Sequence, residues 1–180
     1  MRRLIESPLP LILLIAAAFL AGSCRRSERA RLELTEEEPP ALASVVHVAD
    51  PAASAQLLKG FYALEQNSWR WTAGAFSVAL RPPARAAERG ARLQVSLAIP
   101  EVVVQRLGAL TLKATVGSAV LPPETYSKPG DHVYSREVPA SALAGNSVVV
   151  DFALDKTLAP GGGDERQLGI IVTTIGLEAK

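Results

Sequence analysis

The sequence predicts an all-β domain, a two-layer antiparallel β-sandwich. Three observations carry this: apolar residues recur with a period of two, turn-forming residues separate the runs, and helical periodicity is nearly absent. The pattern begins at about Val45. Phe76, Val78 and Leu80 alternate with Ser77 and Arg81, and Leu93, Val95, Leu97 and Ile99 alternate with Arg92, Gln94 and Ser96. Leu110, Leu112 and Val116 alternate with Thr111, Lys113 and Thr115, while Val148, Val150, Phe152 and Leu154 alternate with Asp151 and Asp155. Each run reads as a strand with one buried face. Ile170, Ile171, Val172 and Ile175 are apolar on both faces, which predicts a central strand buried on both sides or one packed beneath other elements. Asp131 to Val138 is a weaker strand candidate. Pro82-Pro83, Pro122-Pro123, Pro129-Gly130-Asp131, Gly145-Asn146 and Pro160 to Gly163 punctuate the runs as turns or loops. Short helices are expected only around Ala53 to Lys59 and Glu101 to Arg106. No internal repeat is visible.

Ahead of this domain, expected over 44–180, the first 23 residues have the layout of a signal peptide. Arg2 and Arg3 precede the ten-residue apolar run Leu11 to Leu20, followed by Ala21, Gly22 and Ser23. That run is far shorter than the roughly 20 residues a spanning helix needs, and Pro8 and Pro10 interrupt its start. The segment Leu20-Ala21-Gly22-Ser23-Cys24 resembles the bacterial lipobox. The resemblance implies that Cys24 is diacylated, exposed by cleavage and acylated again. As the sole cysteine, Cys24 has no internal disulfide partner. Two or three acyl chains would hold the protein firmly on a membrane, where one would not. Arg25 stands where an aspartate in that family favours retention in the inner membrane, so the resemblance implies the outer membrane. An ordinary cleaved signal with an incidental cysteine is the alternative. Residues 24–43 are expected to be the lipidated cysteine and a flexible tether, since Arg25 to Pro40 mixes Arg with Glu36-Glu37-Glu38 and ends in Pro39-Pro40. A short amphipathic helix around Arg29 to Glu38 is the other reading of that stretch.

Charge excludes one class of partner. From Cys24 onward the chain has 157 residues with 17 basic and 17 acidic side chains, a balance that gives no support for nucleic acid. Motifs for catalysis are missing too. There is no phosphate-cradling glycine loop and no Gly-x-Ser-x-Gly elbow. His47 and His132 are not spaced as a helical ligand pair, so neither metal nor cofactor is expected. Gly161-Gly162-Gly163 reads as a flexible connection rather than an anion loop. Among carboxylates, Glu65, Asp151, Asp155, Asp164 and Glu165 could supply a glycosidase pair, but 18 acidic residues make some pairing inevitable. Asp151 and Asp155 share the less apolar face of their strand with Val149, which predicts solvated charges, with a calcium site as the alternative.

Gly60-Phe61-Tyr62-Ala63-Leu64-Glu65, followed by Trp69-Arg70-Trp71-Thr72, holds about half the aromatic residues of the chain. Together with Asp164-x-Arg166-x-Leu168-Gly169 and Ile175-Gly176-Leu177, it resembles a jelly-roll-like β-sandwich domain. Such domains are found alone or appended to bacterial glycosyltransferases and envelope-polysaccharide proteins. The resemblance spans about Lys59 to Glu178 and implies that Tyr62, Glu65 and Arg166 lie near the Trp-Arg-Trp segment. Tyr62, Glu65, Trp69, Arg70, Trp71, Asp164 and Arg166 are thus a candidate cluster for ligand binding or bracing. In an extended strand Trp69 and Trp71 share one face and Arg70 takes the other. If the indoles face inward they join the core and Arg70 is free to pair with a carboxylate, Glu65 being nearest; if outward, they form a stacking platform for a sugar. Large aromatics are more often core, which favours the inward reading. Two functions follow as expectations. One is a non-catalytic envelope lipoprotein carrying a carbohydrate- or polysaccharide-associated binding module. The other is a structural or assembly lipoprotein that binds another envelope protein.

Overall fold

The computed structural model describes residues 42–180, so Cys24, the signal segment and the tether to position 41 lie outside the described residues. Among the described residues there are ten strands: β1 (Val45–His47), β2 (Leu57–Glu65), β3 (Trp69–Leu80), β4 (Ala91–Ile99), β5 (Leu110–Val116), β6 (Ala119–Val120), β7 (Glu124–Tyr126), β8 (Gly130–Val138), β9 (Val148–Leu154) and β10 (Ile171–Ala179). All pair antiparallel, in the order β6-β5-β9-β3-β10-β4-β8, with β1 on β10, β2 on β3 and β7 on β5.

The sandwich follows from one long strand that serves both layers. The twelve residues of β3 pair with β10 at Arg70 and Trp71 and with β9 from Ala75 to Leu80. One layer is therefore β8-β4-β10 and the other β3-β9-β5, joined through β3 in a nearly barrel-like closure. Each strand alternates, so each layer buries one face. Leu93, Val95, Leu97 and Ile99 of β4 and Val172, Ile175 and Leu177 of β10 are buried, as are Phe76, Val78 and Leu80 of β3 and Val148, Val150 and Phe152 of β9. Leu154, predicted for the core, is only partly buried at the end of β9. Phe76 stacks on Phe152 with ring centroids 4.7 Å apart, and Phe61 meets Phe76 edge-on at 5.4 Å. The outer face of β9 carries Val149, Asp151 and Asp155, all exposed; Asp151 lies 3.6 Å from Lys59 Nζ and Asp155 accepts from the Thr111 amide.

Local departures from the predicted pattern have physical causes. The helix expected over Ala53 to Lys59 is a 3-10 turn, Pro51–Gln56, started by Pro51 and by Asp50, whose side chain accepts from the Ala52 amide. From Leu57 the chain pairs with Val78 instead, and ladder bonds replace the helical ones. The helix expected near Glu101 is present as Glu101–Leu107, between Pro100 and Gly108, whose φ of 71° ends it. A four-residue helix, Ala86–Arg89, has no counterpart in the sequence reading. The strand expected from Asp131 to Val138 is present and starts one residue earlier, at Gly130, read only as part of a turn, which stands opposite Ile99. β10 is central as expected, with β4 along one edge and β3 and β1 along the other; a register shift between Val172 and Thr174 leaves Thr173 exposed.

Candidate functional site

The β2–β3 hairpin delivers five of the candidate residues. It turns through Gln66 and Asn67, both with positive φ (49° and 53°), the signs of a type I′ turn whose twist suits two antiparallel strands. A second tight turn faces it. After β9 the chain folds into a finger closed by the bridges Leu158–Leu168 and Gly161–Asp164, with Gly162 and Gly163 at positive φ between them. The glycine run read as a flexible connection is therefore a two-residue turn closed by the paired Gly161 and Asp164 backbones, where Gly162 and Gly163 take positive φ at no steric cost.

The finger is fastened to the hairpin by Arg166. Asp164 accepts from the Arg166 amide (2.9 Å), from Nε (3.0 Å) and from Nη2 (2.8 Å), and Glu65 Oε1 accepts from Nη1 (2.8 Å). The guanidinium lies over the Tyr62 ring, 5.2 Å from its centroid, and the Tyr62 hydroxyl donates to the Gln167 carbonyl (2.9 Å). Arg166, Glu65 and Asp164 are each about one-third exposed, so solvent screens the pairs. The side-chain and backbone hydrogen bonds from Arg166 hold the Asp164 carboxyl down at about 2. All three nitrogens of the guanidinium are committed, and both carboxylates are spoken for. Such a cluster braces two segments; it is not poised to move a proton near neutrality.

The depressed Asp164 pKa has a definite sign. A carboxylate that ionises more easily in the folded chain adds stability above its ordinary pKa of 3.8, and that contribution disappears as pH falls through about 2. Thermal melts between pH 5 and 2 should therefore show an acid loss in that window that Asp164→Asn reduces. Parallel curves for the two chains would contradict the brace.

Arg70 does not pair with Glu65. Glu65 stands opposite Trp69 in the ladder, and Arg70, one position on, projects from the other face. Its Nε donates to the Val48 carbonyl and its Nη1 to that of Tyr62, both at 2.9 Å, tying the β1 end to β2. Trp69 and Trp71 share a face, edge-on with centroids 6.3 Å apart, but not a burial. Trp71 is 9% exposed and belongs to the core cluster, whereas Trp69 packs on that cluster with part of its surface open. The structure thus brings Tyr62, Glu65, Asp164 and Arg166 into one contact set. Arg70 joins it only through the Tyr62 backbone, and Trp69 through the rung it shares with Glu65.

A second feature lies along the same ladder. Residues directly opposite one another in an antiparallel sheet project to the same side. Trp71 is opposite Ile171, Ile171 is opposite Ala98 and Ala98 is opposite Asp131, so a single rung runs across β3, β10, β4 and β8. On this side a groove of about 470 Å³ opens between Ser96, Ala98, Asp131, Val133 and Thr173; Leu97 and His132, opposite one another, also border it but project to the other side. Its origin is the short side chains of Ser96 and Ala98 on the central strand between longer neighbours. Val133 is 55% exposed there. Thr173 Oγ1 donates to the Ser96 carbonyl (3.3 Å), and His132 Nε2 donates to the Lys128 carbonyl (3.0 Å) with its ring 4.8 Å from that of Tyr126. Sequence reasoning missed this groove. Its residues come from three strands whose spatial order is not their chain order, and the visible signal, small residues on the polar side of β4, has no meaning until the neighbours are known.

No family model and no curated protein matches the chain. Among solved structures it is similar to an acetyl xylan esterase, Est2A, of the rumen bacterium Butyrivibrio proteoclasticus, with 10% identity and a TM-score of 0.41 over 75% of this chain and 32% of that one. It is also similar to the CBM51-2 and INT domains of Clostridium perfringens ZmpB, with 12% identity over 76% of this chain and 28% of that one. The TM-score is 0.36 for those domains alone and 0.35 for the structure with CBM51-2 in complex with GlcNAc. The chain therefore spans about a third or less of each of these proteins, and at such identities the likeness concerns the β-rich fold alone.

Proposed function

We propose that the protein is a non-catalytic lipoprotein of the cell envelope, anchored through Cys24, whose β-sandwich is a carbohydrate- or polysaccharide-associated binding module. The observation that carries the reading is the groove on the outer side of β8-β4-β10. Its volume of about 470 Å³ falls in the range of small-ligand sites, roughly 300–1,000 Å³. Val133 and Ala98 offer apolar contact for the C–H faces of a sugar, and Asp131, Ser96 and Thr173 offer partners for hydroxyls. The Arg166 cluster takes the bracing role: all three guanidinium nitrogens are bonded to Asp164 or Glu65 within the domain.

Among the described residues no helix is long and apolar enough to cross a membrane. Membrane attachment in this reading rests on the lipid, with the outer membrane as destination. Cys24→Ser should move the chain out of the membrane fraction or leave a heavier uncleaved precursor; unchanged fractionation and mass would contradict the anchor. The binding role is tested by applying the full-length chain, in detergent, to an array of defined glycans. Retention by a defined glycan is the expected result. A second reading, docking of another envelope protein, draws on Val120, 80% exposed in the edge strand β6, and Leu58, 49% exposed in the edge strand β2. Absence of glycan retention together with one stoichiometric protein partner would favour it.

A further inference from the structure

Resting on the carbohydrate reading, we infer that the groove selects glycans whose sugars carry free, protonated amino groups, and rejects acidic ones. Two properties of its lining point there. The first is hydrogen-bond polarity. The Thr173 hydroxyl proton is directed at the Ser96 carbonyl. What Thr173 Oγ1 and the Asp131 carboxylate present to a ligand is therefore acceptor capacity. The groove calls for donors.

The second property is charge. Asp131 is exposed at the wall of the groove, and among the described residues no lysine or arginine side chain lines it. The cations that share this side of the layer are spent elsewhere: Arg92 and Lys180 are both paired with Glu137 at the far end of the strands. Glu178, opposite Arg92 on β10, takes a hydrogen bond from Gln94. Arg136, the cation of β8 itself, is bound to Glu124 and to the Pro122 and Pro123 carbonyls. His47 stands on the same side across β10, with Nδ1 3.2 Å from Thr174 Oγ1. Asp131 therefore faces the ligand without a competing cation in the groove. An ammonium beside it forms a charge-assisted hydrogen bond, a hydroxyl or acetamide forms a weaker one, and a uronate carboxylate meets repulsion.

The test is calorimetric titration of the full-length chain in detergent with three tetrasaccharides of matched linkage: glucosamine, its fully N-acetylated form, and a uronate. The glucosamine form should bind about tenfold tighter than the acetylated form, the size of one charged hydrogen bond over a neutral one, and the uronate should give no heat. Asp131→Asn, at an exposed position whose thermal midpoint should not move, should level the first two. Equal or tighter binding of the uronate, or a preference for glucosamine that survives Asp131→Asn, overturns the selectivity while leaving glycan binding intact. Silence from all three, with another glycan retained on the array, also overturns it. Silence throughout the array overturns the binding function itself.

Discussion

Gly60→Ala is expected to cost more than about 4 kcal/mol, a large part of the roughly 5–15 kcal/mol that keeps a domain folded. Gly60 opens the aromatic segment at φ 75°, a conformation that an L side chain rarely adopts. A Cβ there would also overlap the Ala75 carbonyl oxygen and lie 2.7 Å from the Phe76 Cα and Cβ. Neither contact can yield, because Phe76 is fully buried against Phe152 and Ala75 belongs to the β3–β9 ladder. The close approach is what lets β2 cross β3 through its register shifts. Gly162→Ala is the control. Its φ is 63° but nothing lies within 4 Å of the added carbon, so only the backbone strain of about 1 kcal/mol remains. Urea denaturation of the two variants should separate by several kcal/mol; equal values would contradict the packing at Gly60.

Trp71→Ala is expected to lose about 3–5 kcal/mol, the usual cost of deleting a large buried aromatic. The indole is 9% exposed, and its rung partner Ile171 packs against the same core cluster. Trp69→Ala should cost clearly less, because Trp69 keeps an open surface and its neighbour would partly close over the gap. Denaturant midpoints and the fluorescence of the remaining tryptophan measure both. A Trp71→Ala chain with wild-type stability would return the Trp-Arg-Trp segment to the role of an exposed platform.

The strands that alternate cleanly were legible in the sequence because one buried face imposes a period of two. Phe76, Val78, Leu80, Leu93, Val95, Leu97, Val148, Val150 and Phe152 are buried as expected, and Leu154 is partly buried where β9 runs out of the sandwich. β2 was not legible. Its register shifts at Leu57/Lys59, Lys59/Phe61 and Phe61/Leu64 each break the alternation, so Leu57 to Glu65 shows no period at all, and its first residues fall within the helix expected over Ala53 to Lys59. In the candidate site, the pattern Gly-aromatic-Tyr-x-x-Glu and Asp-x-Arg pointed to residues that do meet in space. Their pairing was not deducible, since whether Glu65 faces Arg70 or Arg166 depends on which side of the hairpin the finger lies. Likewise the groove needs the order β8-β4-β10, set by pairings such as Ala179 with Ala91 that lie far apart in the chain.

The central claim is that the outer side of β8-β4-β10 meets ligand while the Arg166 cluster braces the fold. Backbone amide shifts of the isotope-labelled full-length chain, followed during titration with the glucosamine tetrasaccharide, test it most directly. The account expects the largest shifts at Ser96, Ala98, Asp131, Val133 and Thr173, with Tyr62, Glu65, Asp164 and Arg166 unmoved. Shifts concentrated on the latter four, with the groove silent, would contradict it.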